Sequence, residues 1–228
     1  MKIKLILFVL IAAVLLIYYQ SNEEVFAGNA NSGMKGKEAN LKLDSSPRNQ
    51  GHVSYQLVRE NHPDKNGLYP NKDELSAYKL ITQVMDSAIH YYNTYTTASK
   101  KITVYYLTDP SVRADGNING NIRFGPERKF MSVGIATHEV GHTIGVGTSG
   151  RWRSFMIPGV STEPMTFSGK KTISMLRQIT GDPKAQLFMD NQHFWPYGLN
   201  YATEYKSESD LINYCKILNA MLEDGLLN

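Results

Sequence analysis

The sequence predicts an α+β fold, in which a small mixed sheet supports one long helix, a short apolar helix and a mainly helical C-terminal part. Two observations carry this prediction. Segments of β-type residues flank one long amphipathic helical segment, and a short apolar segment with helical spacing follows them. Residues 51–228 are expected to form one domain, since no internal repeat or second linker divides them.

The N-terminus has the pattern of an export signal. Two lysines precede the unbroken apolar run 5–17, and Val25-Phe26-Ala27 places small residues at the positions that a signal peptidase reads. Residues 1–27 are therefore interpreted as a signal peptide. The alternative is an uncleaved N-terminal anchor, in which Tyr18 and Tyr19 lengthen the apolar run. In either case we expect a secreted, periplasmic or cell-surface protein.

The composition of the chain indicates a spacer before the folded region and argues against some classes of partner. Residues 28–50 are rich in glycine, asparagine, serine and lysine, which predicts a disordered spacer.

The chain has 24 basic and 21 acidic residues, and a net charge of +3 indicates neither nucleic acid nor an anionic membrane surface as a partner. The single cysteine, Cys215, excludes an intrachain disulfide, and its spacing from Leu211 and Leu218 indicates a core thiol.

The first part of the folded region is predicted as strand, long helix, strand. Apolar and polar residues alternate over 53–57, which indicates a strand. Asn71 is a favourable N-cap with Glu74 three residues later, as in a capping box, and apolar residues keep a helical period over 75–92. The β-branched and aromatic run 102–107 predicts a buried strand.

The connections are less regular. Residues 109–120 are expected to form a loop, and 121–125 a short strand just before the apolar helix. That strand is interpreted either as an edge to which an extended substrate pairs, or as an ordinary sheet edge. Residues 151–156 lead into a stretch that is predicted to be irregular as far as Ser168. Residues 170–180 are predicted to be helical, and a capping-box pattern at Ser207 begins the last helix.

The apolar helix carries the motif H-E-x-x-H. On a helix, positions four apart lie on one face, so His138 and His142 can bind one metal ion. Glu139 lies beside that face, where a carboxylate can take a proton from a metal-bound water. Gly145 is expected to end the helix. The alternative is a buried helix whose histidines are hydrogen-bonded core residues.

The order of elements over residues 52–147 resembles the N-terminal half of a zincin peptidase. Among zincins, the metzincins extend the motif to a third histidine, but Thr148 stands at that position here, and a neutral hydroxyl is a poor zinc ligand. We expect His193 to be the third ligand, because an aromatic loop can direct one imidazole towards the helix. Glu204 is the rival, since a downstream glutamate is the ligand in another zincin branch.

The loop motif carries a second resemblance. Residues 193–201, H-F-W-P-Y-G-L-N-Y, together with the helix motif resemble a group of secreted bacterial zincin-like proteins, over about residues 52–226. In that group the domain is often joined to ricin-type lectin or other carbohydrate-binding modules, for which we expect no room in this chain. The resemblance implies a zincin-like fold and a metal site more strongly than it implies a substrate.

These patterns predict a zinc-dependent peptidase that acts on a peptide or protein. Zn²⁺ on the three histidines leaves a position for water, and Glu139 is the expected general base. Tyr197 and Tyr201 are candidate donors to the oxyanion. Two alternatives stay open: an exported zinc-containing binding module for glycan or cell-wall material without hydrolytic activity, and a structural zinc domain. Glu139 favours the enzyme, since zinc binding does not require it.

Overall fold

The computed structural model of the protein describes residues 52–60, 62–69, 71–159 and 164–227. The predicted signal peptide or anchor and the predicted spacer lie outside these ranges. Within them the chain is a mixture of helices and two small sheets, so the predicted α+β class is confirmed. No helix in the described ranges has the length and apolar character needed to cross a bilayer.

The first sheet is mixed, as predicted, and has the strand order β1-β2-β4-β3. Strands β1, β2 and β4 run parallel, whereas β3 pairs antiparallel with β4 and lies at the edge. The inward side chains of this sheet, among them Val104, Ile122 and Phe124, are buried against the helices. The strands are β1 His52–Leu57, β2 Ser99–Tyr106, β3 Ala114–Gly116 and β4 Asn121–Phe124.

The edge of this sheet differs from the prediction. The expected strand near 121–125 is present as β4, but it lies between β2 and β3, so both interpretations of it as an edge are wrong. The strand at this end of the sheet is β3, inside the segment 109–120 that was expected to be loop. Its three residues, Ala-Asp-Gly, have low β-propensity and are too few to alternate, so pairing with β4 determines their conformation.

Helix α1, Lys72–Tyr95, covers one face of the sheet. The Asn71 side chain accepts a hydrogen bond from the Glu74 N–H at 3.2 Å, which confirms the predicted N-cap. Leu75 is 52% exposed, although its spacing placed it on the buried stripe. The buried apolar stripe consists of Ala77, Tyr78, Ile81, Val84, Met85, Ala88 and Tyr92.

Helix α2, Val133–Ile144, is the predicted H-E-x-x-H helix and packs on α1 and β3. The Ser132 side chain accepts from the Ile135 N–H at 3.3 Å, and Gly145 ends the helix with a φ of 116°, a conformation that favours glycine. A Cβ at Gly141 would collide with the Tyr214 hydroxyl, so glycine permits close packing beneath the motif. Ten of its twelve residues are buried, which fixes the orientation of the histidines.

The C-terminal part contains two further helices and a second sheet. Helix α3, Lys170–Thr180, and helix α4, Glu208–Glu223, confirm the predicted helices, and the capping box between Ser207 and Asp210 is present. The second sheet was not predicted, since its strands of two or three residues are too short for a recognisable period. Its antiparallel strands are β5 Met156–Ile157, β6 Met165–Phe167, β7 Phe188–Met189 and β8 Phe194–Trp195.

Candidate metal centre

Three histidines converge beside α2. His138 and His142 lie one turn apart on the helix, and their Nε2 atoms are 3.0 Å apart. His193 comes from the turn between β7 and β8, and its ring centre lies 5.5 Å from that of His138 and 5.8 Å from that of His142. One ligand atom from each of the three lies within 4.8 Å of the others. The structure thus brings together the three residues expected to bind zinc.

Backbone carbonyls orient the two helix histidines. The Nδ1 of His138 lies 2.8 Å from the Gly198 carbonyl, and the Nδ1 of His142 lies 2.8 Å from the Val146 carbonyl. A carbonyl oxygen only accepts, so each Nδ1 carries the hydrogen, and a neutral imidazole then has a lone pair on Nε2. The two Nε2 lone pairs therefore face each other without a proton between them, in the arrangement that a shared metal ion requires.

Burial keeps these imidazoles neutral. It lowers the pKa of His138 to about 3, and the neighbouring His142 lowers it further. Burial also lowers the pKa of His142. Both side chains are therefore unprotonated near neutral pH, and the neutral imidazole is the form that binds a metal ion.

Asp190 fixes the loop that carries His193. Its Oδ1 accepts hydrogen bonds from the N–H groups of Gln192 at 2.7 Å and His193 at 2.6 Å, and its Oδ2 lies 3.4 Å from the His193 Nδ1. The Trp152 indole N–H donates to the Asp190 carbonyl at 3.0 Å. The His193 Nδ1 thus faces a carboxylate, an arrangement common in metal sites. Sequence reasoning missed Asp190, although a carboxylate three residues before a loop histidine is a usable signal.

Glu139 lies in the same cavity and is almost fully buried, with 6% exposure. Its Oε2 has no hydrogen-bond partner among the described residues. Burial and the nearby charge of Asp115 raise its pKa to about 8, although a hydrogen bond from the Gly116 backbone acts in the opposite direction. A buried carboxylate oxygen without a partner is costly, so its position calls for water, a cation or a substrate group beside it.

The cavity at these residues has a volume of about 550 Å³ and also contains Tyr201, which is 64% exposed. Tyr197 lines a different cavity, together with Trp195 and Glu204. The chain turns at Tyr197 and Leu199, which have φ values of 66° and 55°. This turn brings the Gly198 carbonyl to His138, whereas the Tyr197 side chain lines the other cavity. Of the two predicted tyrosines, Tyr201 alone reaches the histidines' cavity.

The two residues weighed against His193 have other contacts. Glu204 accepts hydrogen bonds from the backbone and side chain of Asn200, each at 3.3 Å, and lies outside the histidine cluster. Thr148 lines the cavity, but its hydroxyl donates to the His142 carbonyl at the end of α2. Its role is therefore to satisfy a carbonyl at the helix end, where intrahelical partners are missing.

The chain matches no protein-family model, no curated protein and no solved structure. The chemistry of the site must therefore be judged from the side chains themselves. Three imidazoles form a donor set that suits Zn²⁺, which takes four ligands and would leave one position for water or substrate. Glu139 adds a buried group that can accept a proton beside that position.

Proposed function

We propose that the protein is a zinc-dependent peptidase with a zincin-like fold, exported from the cell. One observation carries the proposal: three imidazoles, each with one ligand atom within 4.8 Å of the others, converge beside a buried carboxylate whose Oε2 has no partner among the described residues. A purely structural zinc site has no need of such a carboxylate, and a binding module has no need of it either.

His138, His142 and His193 would hold the zinc ion, with their Nδ1 groups fixed by two carbonyls and by Asp190. When bound, zinc would supply a Lewis acid that polarises a carbonyl and makes water a better nucleophile. Glu139 would accept the proton of the attacking water and pass it to the leaving amine. A cation beside Glu139 would also favour its charged form, which is the form that accepts a proton.

The edge strand β3 offers a place for an extended peptide. The Arg113 carbonyl accepts from the Gly125 N–H, and the Asn117 N–H donates to the Asn121 carbonyl, so these residues pair towards β4. In an antiparallel pair, successive residues direct their main-chain groups alternately towards the partner strand and away from it. The main-chain groups of Ala114 therefore point away from β4, along the cavity that Ala114 lines. A substrate can therefore pair with β3 by main-chain hydrogen bonds.

Tyr201 is the remaining candidate for oxyanion stabilisation. Its side chain lines the cavity and is largely exposed, so the hydroxyl can turn towards a bound carbonyl. Tyr197 has no such access, because it lines the other cavity and packs on the hydrophobic core. We therefore propose Tyr201, and not Tyr197, for this role.

The direct test is digestion of a peptide library by the zinc-loaded full chain, with and without a chelator. Cleavage that disappears with the chelator and returns with added zinc is the expected result. A chain that holds zinc stoichiometrically, leaves the library intact and retains glycan or cell-wall material would overturn the proposal in favour of a binding module. N-terminal sequencing of the exported protein tests the export signal, with a start near Gly28 expected.

A further inference from the structure

We propose that Arg113, Lys129 and Phe130 form a subsite for a carboxylate group of the substrate, so that the cleft selects peptides with an acidic side chain or a free C-terminus. This inference rests on the proposed function. It starts from one feature of the site cavity: these three residues line it together, with two cations next to one aromatic ring.

Both cations lie close to the ring of Phe130. The guanidinium carbon of Arg113 lies 5.6 Å from the ring centre, and the Nζ of Lys129 lies 5.0 Å from it. Cation–π attraction holds both groups near the ring, but it satisfies none of their hydrogen-bond donors. The exposed Arg113 side chain lies near the Phe130 ring and forms no hydrogen bond or ion pair with the described residues, so its donors remain for solvent or a ligand.

Asp115 and Glu127, which lie close to this subsite, are already paired with basic residues. Asp115, which lines the same cavity, is bound by Arg123 through two hydrogen bonds of 2.8 and 2.6 Å. Lys129 pairs with Glu127, but their side chains are 67% and 45% exposed, and exposed pairs of this kind contribute little and exchange easily. The charge of Arg113 is therefore left uncompensated by the described residues, and it faces a cavity that leads to Glu139.

Arg113 is also held in a suitable place along the chain. Its carbonyl accepts from the Gly125 N–H at 2.8 Å, which fixes it immediately before Ala114 on the edge strand. A peptide that pairs with β3 therefore passes beside the guanidinium. This planar group matches a carboxylate with two parallel hydrogen bonds, while Phe130 and Ile135, both half-buried, can contact the methylene groups of an acidic side chain.

The test uses the zinc-loaded full chain and peptides that differ only in one residue, Glu, Gln or Lys, placed at each position around the cleaved bond. We expect kcat/KM to be about 10-fold higher for Glu than for Gln at one position, the size of a hydrogen-bonded interaction with a charged group. Peptides with a free and with a blocked C-terminus separate the two sources of carboxylate. A preference that persists in blocked peptides identifies a side chain, and one that needs the free terminus identifies the terminal carboxylate.

Arg113→Gln should bring the ratio of Glu to Gln cleavage close to one. The matched control is Arg153→Gln, which removes the same charge from an exposed arginine that does not line the cavity, and it should keep the wild-type ratio. The ratio should also fall between about 0.01 M and about 1 M salt, because salt screens exposed charges. A wild-type ratio near one, or an unchanged ratio in Arg113→Gln, would overturn the inference while leaving the peptidase proposal intact.

A binding measurement separates this inference from the proposed function. If no peptide is cleaved, the peptidase proposal fails, and fluorescence anisotropy of labelled Glu and Gln peptides on the zinc-loaded chain still decides the subsite. Tighter binding of the Glu peptide that Arg113→Gln abolishes supports it. Equal binding of the two peptides, or a preference that Arg113→Gln retains, overturns it.

Discussion

The Nε2 atoms of His138 and His142 lie 3.0 Å apart, although neither has a hydrogen to share with the other. Each ring donates its Nδ1 hydrogen to a carbonyl at 2.8 Å, that of Gly198 for His138 and that of Val146 for His142. The Val146 carbonyl is within reach because the helix ends at Gly145. Two opposed lone pairs repel each other, and a bound cation would turn this repulsion into attraction.

Asp190→Asn should weaken zinc binding about 10–100-fold, the usual effect of losing a partner that orients a ligand. The amide can still accept from the backbone N–H groups of Gln192 and His193, so the turn between β7 and β8 should remain folded. The substitution removes the negative charge that faces the His193 Nδ1. Competition titration with a zinc chelator measures the affinity, and an unchanged affinity would show that Asp190 does not orient the ligand.

Glu139→Gln should keep zinc and the fold but reduce peptide cleavage by about 10²–10⁴-fold, since the amide cannot accept the proton of the attacking water. The two side chains have nearly the same size, so the buried position should tolerate the change. Zinc content and kcat/KM measured on the same preparation separate the two effects. Full activity in a zinc-loaded Glu139→Gln protein would rule out this residue as the general base.

Gly141→Ala should lower the free energy of unfolding by about 1–3 kcal/mol, because the added methyl group would collide with the Tyr214 hydroxyl beneath α2. Gly150→Ala is the matched control, since a Cβ at Gly150 meets no atom within 4 Å. Urea denaturation measures both variants, and combining Gly141→Ala with Tyr214→Phe should restore part of the loss. Equal stability of the two alanine variants would mean that Gly141 is not packed tightly against Tyr214.

The Glu74 carboxylate should make the free energy of unfolding depend on pH in the acidic range. Burial raises its pKa, but hydrogen bonds from His62 and Tyr78 outweigh this, and the net pKa is lowered below the ordinary value of 4.5. The stabilisation is therefore complete above the unfolded value and is lost as the pH falls through the folded pKa. The stability difference between wild type and Glu74→Gln should shrink below pH 4.5. Urea midpoints that keep a constant difference would contradict this.

Regular elements were predicted where the sequence repeats a period often enough. Strand β1, helix α1 and the H-E-x-x-H helix each span several repeats, and Asn71 before α1 and Ser207 before α4 form the predicted N-caps. The second sheet and β3 were missed, because strands of two or three residues have no period and form only when a partner strand pairs with them. The same limit explains the wrong assignment of 121–125 to the edge.

The residues of the candidate site also differ in how far the sequence predicts their positions. His138, Glu139 and His142 follow from helical spacing alone, whereas the position of His193 depends on a turn that no spacing rule describes. Tyr197 is placed in another cavity by positive φ values at Tyr197 and Leu199, which sequence alone does not reveal for residues other than glycine.

An anomalous difference map, collected at the zinc absorption edge from crystals of zinc-loaded protein, tests most directly whether one zinc ion lies among the three imidazoles. We predict one peak about 2.0–2.1 Å from the Nε2 atoms of His138, His142 and His193, with no contact to Glu204. A map without a peak between these histidines, or with zinc bound by Glu204 while His193 turns away, would contradict it.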